Sequence, residues 1–412
     1  MALALALLSA PSVTSAYTRS GGNTFRTNGS QADVNSAVLA APDGATIELP
    51  AGTFTWTGQV RISKFVHLKG VSREATRINN ENRSSDALLV YEAAAGNTEI
   101  SDCEFRSMAS NVYVFSLKTL PAENRKGRPI LLHDCSFRTG YRYAVEWDTN
   151  GGVIWNCYFV GDGGGLHGIS FVPRSLERSW TSRSTMGMDD RDGTANTYVE
   201  DCTFKNAQVA CTNFDDNSRV VMRHCTFDNA ALGSHGQETS AGGARHWEIY
   251  DNKFIYTASG PGYPLDLQSW FLARGGTGVI TGNEFPAIPW KTGIQFAVFS
   301  ISRKGQIPCQ TRYPAARQIG QSWKGAGGYN YPSVPQDGSG YYTDPVYLWN
   351  NAGEGASKIS LDQYTPDECG NGQKVEDYIK AGRDYVLGPK PGWQRYPYPH
   401  PLRTGLRRRV KQ

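Results

Sequence analysis

The sequence predicts an all-β chain wound as a solenoid, with capped ends and two long loop insertions. Three observations point there: a short phrase that keeps returning, a composition rich in turn and strand formers, and few long runs of helix formers. Gly 45, Pro 21 and Tyr 21 stand beside only 5 Met in 412 residues, which suits many short strands joined by tight turns. With 39% hydrophobic residues the chain can bury a large core.

The phrase is Asp, Asn or His, then Cys, one further residue and Phe. It reads DCEF, DCSF, NCYF, DCTF and HCTF, with Cys103, Cys135, Cys157, Cys202 and Cys225 in the second slot. Asn takes that slot in DNKF (Asn252), GNEF (Asn283) and WNNA (Asn351), the last without its Phe. From Cys103 to Asn283 the intervals run from 22 (157−135) to 45 (202−157) residues. A phrase repeating on that scale marks stacked units, each burying its face against its neighbours. Each copy reads as the end of a strand, a tight bend and the first inward residue of the next strand. Stacking would align the Asn side chains as a hydrogen-bonded ladder and the Cys side chains as a small buried column. These five cysteines therefore read as reduced packing residues, which leaves Cys309 and Cys369 as the better pair for a disulfide.

The elements follow in order. Residues 1–16, MALALALLSAPSVTSA, read as a signal peptide, which predicts a secreted or periplasmic protein. No later segment approaches the 18 apolar residues of a membrane helix. Residues 17–95 should hold an N-terminal cap and the first rungs, with NSAVLAA as a short helix over the open end. The regular stack is expected over 96–290, interrupted by a long excursion at 172–196 that explains the interval of 45. Residues 291–344 read as an irregular insertion, and 345–412 as the last rung and a C-terminal cap.

The stretch VNSAVLAAPDGATIELPAGTFTWTGQVRISKFVHLKG (34–70), the ladder phrases and VYLWNN (346–351) together resemble the pectate-lyase-like superfamily of right-handed parallel β-helices, over most of the chain. GRDYVLGPKPGWQRYPYPHPLR resembles the ending of many exported bacterial β-helix proteins. The resemblance implies a single-stranded right-handed parallel β-helix whose function sits on one outward face per rung and on the loops beside it.

Four consecutive rungs carry AVEWDTNGG, LHGISFVPR, ACTNFDDNSR and GSHGQETSAGGARH before their ladder phrases. Asp215 and Asp216 read either as a turn opening Asp-Asp-Asn-Ser or as carboxylates for acid/base or metal work. His235 follows Asp215 by one rung, so it should lie about 5 Å away. It is either a structural histidine or a catalytic one. Arg219 and Arg245 could clamp a substrate carboxylate or pair with surface acids. Asp148, Asp215, Asp216 and Glu238 are oxygen ligands that could hold Ca²⁺, and Glu146 and His167 could touch substrate. Trp147, Trp180 and Trp270 could stack on sugars or pack inside. In the excursion, Arg174, Arg178, Arg183 and Arg191 with Asp189, Asp190 and Asp192 read as a charged lid or a solvated loop.

Two chemistries suit these residue types. A polysaccharide lyase neutralises a uronate carboxylate by Ca²⁺ or arginine and removes the C5 proton with a base such as His235. A hydrolase is the alternative, since FDD followed a rung later by HG is similar to the polygalacturonase pattern, which implies an acid/base role for Asp215 or Asp216. The third carboxylate of that pattern is missing from LHGISFV. A non-catalytic glycan-binding or structural surface protein is a third reading. The net charge of +4 is compatible with an acidic glycan. The only basic run is the C-terminal RTGLRRRVKQ, which reads as a frayed tail rather than a nucleic-acid site.

Overall fold

The computed structural model describes residues 17–82, 87–91, 98–107, 113–117, 130–140, 143–149, 151–162, 166–173, 190–207, 209–236, 243–257, 269–287, 292–304, 308–323, 341–362 and 365–404. The signal-peptide reading of 1–16 lies outside them. The chain builds three long sheets of 13, 8 and 10 strands. Apart from the opening pair Thr18–Arg19 and Thr24–Arg26, which is antiparallel, the strands within these three sheets pair in parallel. One circuit gives a strand to each in turn. Thr197–Glu200 joins the thirteen-stranded sheet, Thr203–Ala207 the eight-stranded and Ala210–Phe214 the ten-stranded. The next circuit, Arg219–Arg223, Thr226–Ala230 and Leu232–Ser234, pairs alongside, with Val199 opposite Met222 and Phe204 opposite Phe227.

The recurring phrase is the corner between the thirteen- and eight-stranded sheets. Asp102, Asp134, Asn156, Asp201, His224, Asp251 and Asn350 all have φ between 50° and 61° there, and Gly282 has 69°. Only Gly, Asn, Asp and a few other residues enter that left-handed region readily, which is why those types begin the phrase. The next side chain points inward and is enclosed. The five phrase cysteines are buried and free, whereas Cys309 and Cys369 are joined by a disulfide. The Phe residues that follow stack through the core as Phe105, Phe137, Phe159, Phe204, Phe227, Phe254 and Phe285, with ring centroids 4.6 to 5.4 Å apart.

Where Asn replaces Cys, the slot becomes a polar ladder. Asn252 Nδ2 donates to Asn283 Oδ1 (2.9 Å) and to Met222 O (2.9 Å), and Asn283 Nδ2 donates to Asn351 Oδ1 (3.0 Å) and to Ile249 O (2.9 Å). Each Asn oxygen also accepts the backbone N–H of the slot residue on the preceding rung. Because Asn283 is wholly buried, its replacement strands donors and acceptors on both sides. Asn283→Ala is expected to cost about 1–3 kcal/mol in urea unfolding, and a shift below a few tenths would deny the ladder a stabilising role.

The expected capping helix is present as Gln31–Ala40, with the Ser30 hydroxyl accepting from Asp33 N–H. The sheets run beyond 96–290 in both directions: Ala45–Glu48 and Val66–Lys69 precede that span, and Thr292–Phe296, Val346–Trp349 and Ile359–Leu361 follow it. At the far end the chain returns over the outer face of the thirteen-stranded sheet. There Tyr396 packs with Leu131, Val153, Trp155, Tyr198, Val221 and Tyr250, flanked by Trp393 and Leu402. Among the described residues no helix is long and apolar enough to cross a membrane.

Candidate functional site

In the ten-stranded sheet the inward residues Trp147, Phe171, Phe214, Ser234, Ala273 and Phe296 stand in register across six neighbouring strands. The residue after each is turned outward by the pleat, giving the row Asp148, Val172, Asp215, His235, Arg274 and Ala297. Backbone bonds carry the register one step past the strands: Asp215 N–H donates to Phe171 O (3.0 Å) and His235 N–H to Phe214 O (2.8 Å). Asp215, His235 and Arg274 thus come from three successive circuits and meet. His235 Nδ1 lies 3.6 Å from Asp215 Oδ2, and Arg274 Nη2 lies 2.6 Å from His235 Nε2. Arg274 is itself fixed, its Nε donating to Ser234 O (2.9 Å) and its guanidinium lying 4.5 Å from the Phe299 ring centre.

The electrostatics of His235 follow from these neighbours. Burial, reinforced by the positive charges of Arg274 and Arg303, holds its pKa well below the usual histidine value, so the ring is neutral at pH 7. A guanidinium only donates, so Nε2 must be the accepting nitrogen and the ring proton is inferred to sit on Nδ1, facing Asp215. About a quarter of the His235 side chain remains exposed. The other Asp215 oxygen accepts N–H groups from Asp216 (2.8 Å) and Gly243 (3.1 Å), which orients the carboxylate.

Asp215 to Ser218 form the turn that the sequence suggested, closed by Ser218 N–H to Asp215 O (2.9 Å), with Asp216 and Asn217 at φ 45° and 70°. Of the two carboxylates in this turn, Asp215 continues the outward row. Asn217 Oδ1 accepts from Arg317 Nη1 (2.6 Å), so the segment around Arg317 docks against this corner. Gly275 permits the approach, since a Cβ there would lie 2.5 Å from Arg317 O and 2.7 Å from His235 O.

Several expected site residues fall elsewhere. Trp147 and Trp270 are wholly buried, and their indole N–H groups donate to Gly151 O (3.2 Å) and Pro286 O (2.9 Å). They pack the interior and present no face to a sugar, which corrects the stacking expectation. Arg245 is almost wholly buried and its N–H donates to Ser218 O (3.2 Å), whereas half-buried Arg219, the next residue after Ser218, stands opposite His246. The two arginines therefore do not form one exposed clamp. Glu146 faces outward in the row beside Asp148, level with Ser116 and Ser170. Asp190 is a buried loop anchor, accepting from Ala195 N, Asn196 N and Tyr198 Oη at 2.9 to 3.0 Å, not part of a lid, and Asp192 caps Thr194. Arg191 adjoins them. Arg174, Arg178, Trp180, Arg183, Asp189 and Glu238 lie outside the described residues, as does the side chain of His167.

Of the four oxygen ligands the sequence offered for Ca²⁺, Asp148, Asp215 and Asp216 are described and Glu238 is not. Among the described residues the only three His, Cys, Asp or Glu ligand atoms lying within 4.8 Å of one another belong to His67, Glu99 and His133; Asp148, Asp215 and Asp216 form no such set. That second cluster lies on the outer face of the thirteen-stranded sheet. Burial lowers the pKa of His67 to about 4. Burial would also lower that of His133, but hydrogen bonds to Asp134 and Glu99 outweigh it and raise the value to about 9.

Sequence reasoning missed Arg274, Arg303 and Arg317 at the first site and all three members of the second. Arg274 could have been found only by fixing the register of LARGG against GSHG. His133 was legible in principle, since it immediately precedes the corner phrase in LLHDCSF and must share an outward row with its counterparts.

No protein-family model matches the chain, and no curated protein does. Among solved structures, an alginate lyase from Paenibacillus sp. str. FPU-7 is similar at 10% identity and TM-score 0.37, covering 82% of this chain and 98% of that one. Geobacillus virus E2 ORF18 is similar at 12% identity and TM-score 0.37, covering 80% of this chain and 54% of that one, so the chain spans about half its length. The catalytic domain of a GH87 α-1,3-glucanase in complex with nigerose follows at 10% and 0.27, covering 94% and 70%. These likenesses are too slight to bear on the chemistry of this chain.

Proposed function

We propose that the protein is an exported polysaccharide lyase acting by β-elimination on a uronate-containing glycan, built on a right-handed parallel β-helix of the pectate-lyase-like kind. The observation that carries the reading is a neutral His235 held between Asp215 and Arg274 on an outward row. In the free protein Arg274 occupies the His235 Nε2 lone pair. A uronate carboxylate would draw that guanidinium, with exposed Arg303 beside it, into a charge-assisted contact and release the lone pair. The freed Nε2 then takes the C5 proton, the C5 electrons form the C4–C5 double bond, and the 4-linked sugar leaves with its oxygen, taking a proton from water while the His235 imidazolium returns its proton to solvent. Asp215, its Oδ2 3.6 Å from Nδ1, stabilises the imidazolium that forms by its charge. No step is routed through Ca²⁺. Export rests on the reading of residues 1–16.

One observation favours a second reading. Asp148 and Asp215 occupy the same outward row two strands apart, about 10 Å between backbones, close to the about 6.5–9.5 Å between carboxyls that an inverting hydrolase needs. Incubation with a panel of uronate polysaccharides, with Ca²⁺ and with chelator, separates the readings. A lyase gives an unsaturated product whose conjugated double bond absorbs in the far ultraviolet, and Arg274→Ala should raise KM at least tenfold. Reducing ends without that absorbance mean hydrolysis, and silence in both assays with retained glycan binding means a non-catalytic binder.

A further inference from the structure

We infer that the outer face of the thirteen-stranded sheet carries a binding site for a divalent d-block cation of the zinc class, held by His67 Nε2, Glu99 Oε1 and His133 Nε2. The inference is independent of the glycan reading, since the cluster sits on a different sheet. Parallel register creates it: His67 is opposite Glu99 on the next strand, and His133 lies one strand further, two positions along, opposite Ser101. All three are outward positions, because Leu68, Ile100 and Leu132 between them point into the core.

The geometry is close to that of a formed site. Glu99 Oε1 lies 2.8 Å from His133 Nε2 and 3.5 Å from His67 Nε2, and all three ligand atoms fall within 4.8 Å of one another. Bonds of about 2.0–2.2 Å in a tetrahedron place ligand atoms about 3.3 Å apart, so small side-chain adjustments admit the ion. Two imidazoles and one carboxylate leave a fourth position open to water. Nitrogen donors of this kind select zinc, copper, nickel or cobalt over calcium or magnesium. The side chains remain 23%, 15% and 12% exposed for His67, Glu99 and His133, so an ion can enter from solvent.

The support around the ligands argues for a built site rather than a chance meeting. Asp134 Oδ2 lies 2.6 Å from His133 Nδ1, which directs Nε2 at the cluster, as carboxylates behind metal-bound histidines do. Asp134 is itself fixed, since it occupies the left-handed corner position and its other oxygen accepts from Asn156 Nδ2. Trp155 stacks on the His133 ring at 4.0 Å and 11°. Ser101 Oγ lies 2.8 Å from His67 Nε2, beside the open position. On binding, the ion replaces the proton on His133 Nε2, which passes to solvent.

Titration of the chelator-stripped, dialysed full chain with ZnCl₂ by calorimetry should show one equivalent bound in the micromolar range or tighter. Co²⁺ at the same site should give the intense visible absorption of a four-coordinate ion. Glu99→Gln and His67→Gln should each weaken Zn²⁺ binding at least tenfold, and Asp134→Asn, a positioning change, about 10–100-fold. Zinc should raise the melting temperature of the parent and not of His67→Gln, the most exposed of the three ligands and so the safest variant for folding. No uptake at micromolar zinc, or uptake unchanged in both ligand variants, overturns the site.

Discussion

His235→Ala should lose about 10²–10⁴ in kcat against a uronate polysaccharide, the usual contribution of a positioned proton-transfer group, with its melting temperature nearly unchanged. The side chain lies in an outward row with about a quarter of it exposed, where truncation leaves the core untouched. Asp215→Asn should also lower kcat with little change in KM, because Asp215 stabilises the imidazolium by its charge and does not hold the uronate. The pH profile gives an independent check. A base must be neutral to accept a proton, and burial together with Arg274 and Arg303 holds the His235 pKa well below 6.5. Activity should therefore stay level as pH falls through 6.5 and decline only further into the acid range. An acid limb centred on the ordinary histidine value, or a His235→Ala variant with parental kcat, would remove the base assignment.

Arg223→Met should destabilise the protein by about 3–5 kcal/mol. Arg223 is wholly buried and binds Glu200 on the neighbouring strand, Tyr250 Oη (2.9 Å), and the carbonyls of Tyr396 (2.7 Å) and Pro397 (2.6 Å) on the returning segment. Its removal strips Glu200 of one cation and takes the donor from the buried Tyr396 carbonyl and the part-buried Pro397 carbonyl. Glu200 keeps Arg403 Nη1 (2.7 Å) and His400 N–H (3.1 Å), so the damage should concentrate in the segment 393–404. Urea unfolding measures the cost, and limited proteolysis should cut near Trp393 before anywhere in the sheets. If Arg223→Met/Glu200→Met costs as much as the single variant, the loss reflects packing rather than a stranded charge.

The corners of this fold were legible because a left-handed bend admits few residue types and the enclosed slot after it admits small ones, so chemistry and spacing repeat together. The Asp215 and His235 meeting was legible for the same reason: it needed only the assumption of one rung. The choice left open for Trp147 could have been settled from AVEWD, whose alternation places Trp147 in phase with inward Val145 and out of phase with Glu146. Arg274 was hidden because its rung follows a long stretch, 258–268, whose length hides the register. Arg317 was hidden more deeply, since it reaches Asn217 from 100 residues away and no local pattern announces that contact.

The returning segment also changes how the stack holds together. Stacked repeats ordinarily feel only their neighbours, so each can open almost alone. Here Trp393 binds Glu248, Arg395 binds Asp251, Tyr398 and Arg403 bind Asp201, and His400 binds Asp190 and Glu200, spanning three successive circuits from residues 144 to 210 positions away. Those circuits cannot fray one at a time without releasing the same buckle. The middle of the molecule is thereby made a single cooperative block, and Leu131 and Trp155, which pack under the same segment, tie the strand of His133 to it.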